Sequence, residues 1–255
     1  MSKGKQRHAK RRIEGRYPID TGTATIVADP LRDGAYILEV NNVPSSYVVP
    51  GAPEVLEYDY MRWIAGLIHL PEPFAAVHLG AAGCALPSYV AHRWESSNTA
   101  VEFDRGLARL VRDIFAPPVD IVVAEARAFT HALAPASVDL IVRDVFAGPV
   151  TPTPLTTVEF YRAAQDALRP GGIFVLNIGD RAGLPETRAE TAGLAEVFSH
   201  LGVITTQEML NGSGYGNVVV AASHSPLSWS GEAEFRSTDW VRALGGTPRR
   251  DAPAP

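Results

Sequence analysis

One segment constrains this chain more than any other: an apolar strand that runs into an acidic residue, a Pro/Thr loop, a helix, and a second apolar strand. It reads Asp139-Leu-Ile-Val-Arg-Asp144, then Val-Phe-Ala-Gly148-Pro-Val-Thr-Pro-Thr-Pro-Leu-Thr-Thr157, then Glu159-Phe-Tyr161, and finally Leu168-Arg-Pro-Gly-Gly172-Ile-Phe-Val-Leu-Asn177. The apolar runs show no polar alternation, as expected of strands covered on both faces. A β-loop-α-β unit of this kind puts Asp144 at the carboxyl end of a parallel strand, where open α/β sheets bind their ligands.

The same rhythm extends on both sides. Strands are expected at 75–79, 99–103, 120–124, 138–142 and 172–176, with helical stretches such as 106–114 and 157–168 between them. Runs at 203–206 and 217–221 lack a clear helix between them, and Gly212-Ser-Gly-Tyr-Gly216 suggests a turn that joins them as an antiparallel pair at one edge. Upstream, Thr23–Ala28 and Ala35–Val40 flank Asp-Pro and Asp-Gly turn signals and read as a hairpin. Residues 54–69 then switch to helical spacing. The expected fold is α/β: a Rossmann-like, seven-stranded, mostly parallel sheet. The expected divisions are a disordered basic tail over 1–20, a small β-rich domain with a linking helix over 21–70, the Rossmann-like domain over 71–225, and a partly disordered extension over 226–255.

Charge and composition narrow the function classes. The net charge of −5 hides an asymmetry, because residues 1–16 hold seven Lys or Arg against Glu14 alone, a local +6 that leaves −11 on the rest. An acidic body argues against a nucleic-acid partner, and the basic arm reads as a solubilising tail. No apolar run reaches the roughly 18 residues needed to span a bilayer. The single cysteine, Cys84, rules out an intrachain disulfide and a cysteine-based zinc cluster. The expectation is a cytoplasmic protein without membrane or metal. His78, His131, His200 and His224 show no metal-ligand spacing, and His78 reads as a packed strand residue.

Four successive strand ends carry the candidate site. His78-Leu-Gly80-Ala-Ala82-Gly83-Cys84-Ala85 follows the first strand of the sheet, and its small residues let a ligand approach the backbone and the next helix N-terminus. Glu102 lies 22 residues beyond Gly80, at the end of the second strand, where a carboxylate can accept both ribose hydroxyls. Glu125 ends the third strand, beside the place an adenine would occupy, and Asp144 ends the fourth. A dinucleotide fingerprint would need glycine where this chain has Ala82 and Ala85, so an adenosyl-sulfonium ligand fits better.

With these residues in view, the chain resembles the spermidine synthase (polyamine aminopropyltransferase) family over roughly residues 22–223. The resemblance rests on Val101-Glu102-Phe103-Asp104, Glu125-Ala126-Arg-Ala-Phe129, Asp144-Val-Phe146-Ala-Gly148, Leu155-Thr-Thr-x-x-Phe160, Leu168-Arg-Pro-Gly-Gly172, and Glu54-Val-Leu-Glu-Tyr58-Asp59-Tyr60-Met61. It implies a class I methyltransferase type of fold, with residues 71–225 as an adenosyl-nucleoside-binding domain, and a transferase whose donor is decarboxylated S-adenosylmethionine, or S-adenosylmethionine itself. Gly80, Ala82, Gly83, Glu102, Phe103, Glu125 and Ala126 would then line the donor site. Tyr58, Asp59 and Phe146 would face a small amine acceptor, and Asp144 would be the general base. It also implies a homodimer.

The chain departs from the family pattern at three places. The Gly-Gly-Gly-Asp-Gly-Gly loop is replaced by Gly80–Ala85, which removes the Asp that receives the aminopropyl ammonium. Ala147 stands where the family has a second loop Asp, and Tyr60 stands where it has a Glu. The alternatives are therefore an S-adenosylmethionine-dependent methyltransferase acting on a less cationic acceptor and a non-catalytic nucleoside-binding member of the family.

Overall fold

Alternate residues within each apolar run point to opposite faces of one sheet, and both faces are covered. In a computed structural model of the chain, which describes residues 13–252, Ile173 and Val175 pack beneath one layer of helices while Phe174, Leu176 and Ile178 pack beneath the other. This two-sided burial explains why the sequence shows continuous apolar runs without alternation.

The large sheet is built from β5 (Phe74–Leu79), β6 (Ser96–Glu102), β7 (Asp120–Val123), β8 (Val138–Arg143), β9 (Leu168–Arg181), β10 (His200–Thr205), β11 (Tyr215–Ser223) and β12 (Glu234–Arg236). Its order is β12-β10-β11-β9-β8-β5-β6-β7. The pairs from β9 to β7 are parallel, and those of β11 with β9, β10 with β11, and β12 with β10 are antiparallel. The fold is thus α/β with a mostly parallel sheet, as expected, but the sheet has eight strands rather than seven. The extra strand comes from the C-terminal extension. β12 pairs with β10, so the antiparallel pair lies one strand inside the edge, and the large-sheet unit does not stop at residue 225.

Ahead of this lies a four-stranded antiparallel sheet of β1 (Gly15–Ile19), β2 (Gly22–Ala28), β3 (Tyr36–Val40) and β4 (Val43–Val48) in sequential order. Strand β1 corrects the expectation that the tail is unstructured through residue 20. Its Arg16-Tyr-Pro18 pairs with Thr23–Thr25, and Ile19 joins Ile26 and Leu38 in an apolar cluster. The rest of the basic tail, residues 1–12, lies outside the described residues.

Helix α1 (Asp59–Gly66) and helix α2 (Ala85–Arg93) cover one face of the large sheet. The opposite face is covered by α5 (Val158–Ala167), α6 (Pro185–Leu194) and α8 (Thr238–Ala243), with α4 (Ala126–Ala132) contributing at its edge. Helix α3 (Arg105–Ile114) packs against the small sheet through Leu107 and Val111. The four-residue helix α7 (Gln207–Leu210) interrupts the β10–β11 connection. No helix among the described residues is long and apolar enough to cross a membrane.

The C-terminal segment also departs from expectation. Within the extension expected to be partly disordered, the Arg249 carbonyl accepts from Val158 N–H at 3.0 Å and its guanidinium reaches Glu186 at 2.6 Å. Arg250 pairs with Glu196 at 2.8 Å and Asp251 with Arg127. Specific partners on α4, α5 and α6 hold a Pro- and Arg-rich tail that composition alone marks as unstructured.

A candidate active site at the strand ends

Asp144 follows β8, and its backbone N–H donates to Leu79 O at 2.9 Å. Strands β5 and β8 therefore end level, with Gly80 beside the Asp144 backbone. A Cβ on Gly80 would stand 2.2 Å from the Asp144 carbonyl oxygen, and its φ of +87° lies in the left-handed region. Here glycine is needed both for the close approach and for the conformation. The following loop holds Ala82 at φ +39° and Cys84 at φ +58°. It takes a glycine-like path at two residues that carry side chains, at a cost of roughly 1–2 kcal/mol per residue. Strain of this kind tends to accumulate where a loop is shaped for a ligand.

Two long-range contacts fix the Asp144 carboxylate. Tyr60 Oη, from α1, donates to Oδ2 at 3.0 Å, and Asn177 Nδ2, from β9, donates to Oδ1 at 2.9 Å. Burial raises the Asp144 pKa above its ordinary value. The Asn177 and Tyr60 hydrogen bonds and the charge of Arg143 oppose that rise without cancelling it. The Tyr60 hydroxyl is itself pushed well above its usual range, by burial first and then by Asp144. Tyr58 stacks on Tyr60 with ring centroids 6.1 Å apart. Behind the strand end, the fully buried Arg143 donates to both oxygens of Glu190, at 2.5 and 3.2 Å, and to Leu155 O and Asn177 O. Tyr161 Oη donates to the same Glu190 at 2.8 Å. This buried pair ties β8, β9 and α6 together directly under the site.

A cavity of about 1420 Å³ opens over these strand ends. It gathers nearly all of the residues expected at the site: Gly80, Ala82, Glu102, Phe103, Glu125 and Ala126 on the glycine-loop side, and Tyr58, Asp59, Asp144 and Phe146 on the other. Gly83 is the exception. It is buried against β4, where its N–H donates to Ser46 Oγ at 2.9 Å and a Cβ would meet Ser46 and Val48 at 2.8 Å. Its smallness serves the packing of the small sheet on the loop.

The carboxylates differ in state. Glu102 accepts from Asp104 N–H at 2.9 Å and, at longer range, from Ala82 and Ala81. Burial raises its pKa and these hydrogen bonds oppose the rise. Glu125 is exposed and caps its own helix, its two carboxylate oxygens accepting from Arg127 and Ala128 N–H at 2.9 and 2.7 Å. Asp59 is engaged by Arg62. Asp104 acts in the scaffold: it accepts from Leu107 N–H at the start of α3 and from Asp20 and Thr21 of the small sheet at 3.1 and 2.6 Å.

Tyr60 and Asn177 are the residues that sequence reasoning missed. Tyr60 stood out only as the loss of a family Glu, and Asn177 as the end of an apolar strand. The available signal was a polar residue closing an otherwise apolar run beside the Asp144 strand.

No family model matches the chain. A polyamine aminopropyltransferase of Aeropyrum pernix is 24% identical over 185 residues, which is 65% of this chain and 58% of that protein, so the matched segment spans less than two thirds of the curated relative. A spermidine synthase solved with the transition-state analogue AdoDATO shares the fold at a TM-score of 0.62, with 16% identity over 83% of this chain and 73% of that one. A crystal structure of a probable spermidine synthase from Corynebacterium glutamicum superposes with a TM-score of 0.89 and 36% identity, covering 94% of this chain and 97% of that one. With 36% identity over nearly the whole of both chains, this chain belongs to the spermidine synthase-like family of aminopropyltransferase homologues.

Proposed function

We propose that the protein transfers an aminopropyl group from decarboxylated S-adenosylmethionine to a small amine, with Asp144 as general base. The observation that carries this reading is the sign of the cavity. Seven carboxylate side chains line it, and among the described residues no Lys, Arg or His does. A sulfonium donor and an amine acceptor are both cationic, and burying cations requires compensating anions. The carboxylate of S-adenosylmethionine would meet no basic side chain there, which favours the decarboxylated donor.

In this reading Glu102 accepts the ribose hydroxyls once the donor displaces its long contacts to Ala81 and Ala82. The exposed ring of Phe103 and the buried Ala126 flank the adenine beside Glu125. Tyr58, Asp59 and Phe146 form the acceptor side, and Glu208 of α7 adds a carboxylate to the lining. The acceptor nitrogen attacks the propyl carbon bonded to sulfur. The carbon–sulfur pair leaves with 5′-methylthioadenosine, and the nitrogen's proton passes to Asp144. An amine is a nucleophile only after losing its proton, so an anionic acceptor of raised basicity within reach is the needed element. The sulfonium is already activated, and the remaining task is alignment.

The test is to incubate the protein with decarboxylated S-adenosylmethionine and a panel of di- and polyamines and to follow 5′-methylthioadenosine. Its amine-dependent release, lost in Asp144→Asn, is the expected result. Methyl transfer from S-adenosylmethionine instead would favour the second reading, which draws on the absence of an Asp in the Gly80–Ala85 loop.

A further inference from the structure

His78 lies on β5, 2% exposed, and takes no part in the chemistry proposed above. Its Nε2 is 2.9 Å from Asn98 Oδ1. The Asn98 amide nitrogen donates to Ser96 Oγ at 2.9 Å and Ser96 O at 3.3 Å, so its oxygen faces the ring and the ring presents Nε2–H to it. Nδ1 is left as a bare acceptor, with no hydrogen-bond partner among the described residues. Burial keeps the ring neutral, with its pKa lowered to about 4. A buried acceptor without a partner costs roughly 1–3 kcal/mol.

A second cavity, of about 30 Å³, lies behind the glycine loop and is lined by His78, Asp144, Ser46, Gly80 and Ala82, among others. That volume admits one water and no organic ligand. β-sheet register sets His78 opposite Val142, so His78 and Asp144 share the face beneath α1 and α2. The polar groups complement a water. Nδ1 can only accept, and Asp144 has lone pairs beyond those taken by Tyr60 and Asn177. The buried Ser46 Oγ accepts from Gly83 N–H and keeps its own proton to donate.

We propose that this small cavity binds one water, which donates to His78 Nδ1 and to Asp144 and accepts from the Ser46 hydroxyl, making His78 a positioning residue for Asp144. The water joins three elements, β4, β5 and β8, behind the Gly80–Cys84 turn. It gives the Asp144 carboxylate a third donor, on the side away from Asn177, and so holds its rotamer and favours its ionised form. Ser96, Asn98 and His78 form a chain whose purpose is the tautomer, since a ring protonated on Nδ1 would turn a donor toward the water. Only the catalytic meaning of this site rests on the proposed function; the site itself does not.

The other groups that face Asp144 are Tyr60 on α1, with Tyr58 stacked on it, Asn177 on β9, Arg143 beside it on β8, and Glu102 in the wall of the same large cavity. These stay in place in the test. A high-resolution crystal structure of the full chain should show an ordered water within hydrogen-bond distance of His78 Nδ1 and Asp144. Nitrogen-15 spectra of the imidazole should show Nε2 protonated and Nδ1 accepting. His78→Gln retains a donor for Asn98 and puts a carbon where Nδ1 stood, so no acceptor remains at that position. It should lose the water and raise the Asp144 titration midpoint, read from the carboxyl carbon-13 shift. Should that variant not fold, Ser46→Ala should move the midpoint in the same direction. A cavity without water density, an Nδ1-protonated ring, or an Asp144 titration unchanged in the folded variant would overturn the proposal. None of these readouts needs turnover, so failure here is distinct from failure of the aminopropyl-transfer assay.

Discussion

The Tyr60 hydroxyl reaches across 84 positions of sequence to donate to Asp144 Oδ2 at 3.0 Å, and the pair joins the linking helix to the end of the central strand. A hydrogen bond to a charged group is worth about 1.5–3 kcal/mol, so Tyr60→Phe should lower turnover roughly 10- to 100-fold. The acid limb of its pH–rate profile should move to higher pH, because Asp144 loses a donor that favours its ionised form. A profile identical to wild type would show that the bond does not act on the base.

The raised pKa of Asp144 makes a prediction with a definite sign. A carboxyl group whose pKa is higher in the fold than the ordinary 3.8 costs stability once it ionises, and that cost disappears as pH falls below 3.8. Asp144→Asn should therefore unfold at a temperature equal to or above wild type at pH 7 while abolishing turnover. Thermal melts at pH 7 and below pH 3.8 check this, and the difference should shrink at the lower pH.

Asp104 predicts the opposite. Burial alone would raise its pKa, but bonds from Leu107, Thr21 and Asp20 outweigh burial and lower it below 3.8. The stability it contributes is present above 3.8 and is lost as pH falls through its depressed folded value. Asp104→Ala should cost about 1–3 kcal/mol at pH 7, with hydrogen exchange rising first at the β1–β2 turn and the start of α3. Uniform exchange changes would contradict its place as the tie between the two sheets.

Glu190→Gln should destabilise strongly. It leaves Arg143 buried with its charge unmatched, a loss of about 3–5 kcal/mol. Chemical denaturation measures this directly. A loss under 1 kcal/mol would mean that Leu155 O and Asn177 O suffice for the guanidinium.

The layered α/β scheme was legible because strand and helix periods are local properties of the chain. The register Gly80, Glu102, Glu125, Asp144 was legible because parallel strands repeat the same geometry at each carboxyl end. What escaped was made by long-range pairing. Tyr60 read as a missing carboxylate, since nothing near residue 60 reveals a partner at 144. Gly83 read as part of the nucleotide loop, yet its neighbour is β4, which no local pattern announces. Strand β12 and the ordered residues 247–252 lie in Pro-, Ser- and Arg-rich sequence, and their order comes from partners on β10, α4, α5 and α6.

The central claim is a cationic, decarboxylated donor in an acidic cavity. Titration calorimetry of the purified protein with decarboxylated S-adenosylmethionine and with S-adenosylmethionine, under identical conditions, tests it most directly. The account predicts tighter binding of the decarboxylated donor, by about tenfold or more for each roughly 1.4 kcal/mol of carboxylate desolvation and repulsion left unpaired. Equal or tighter binding of S-adenosylmethionine would contradict it.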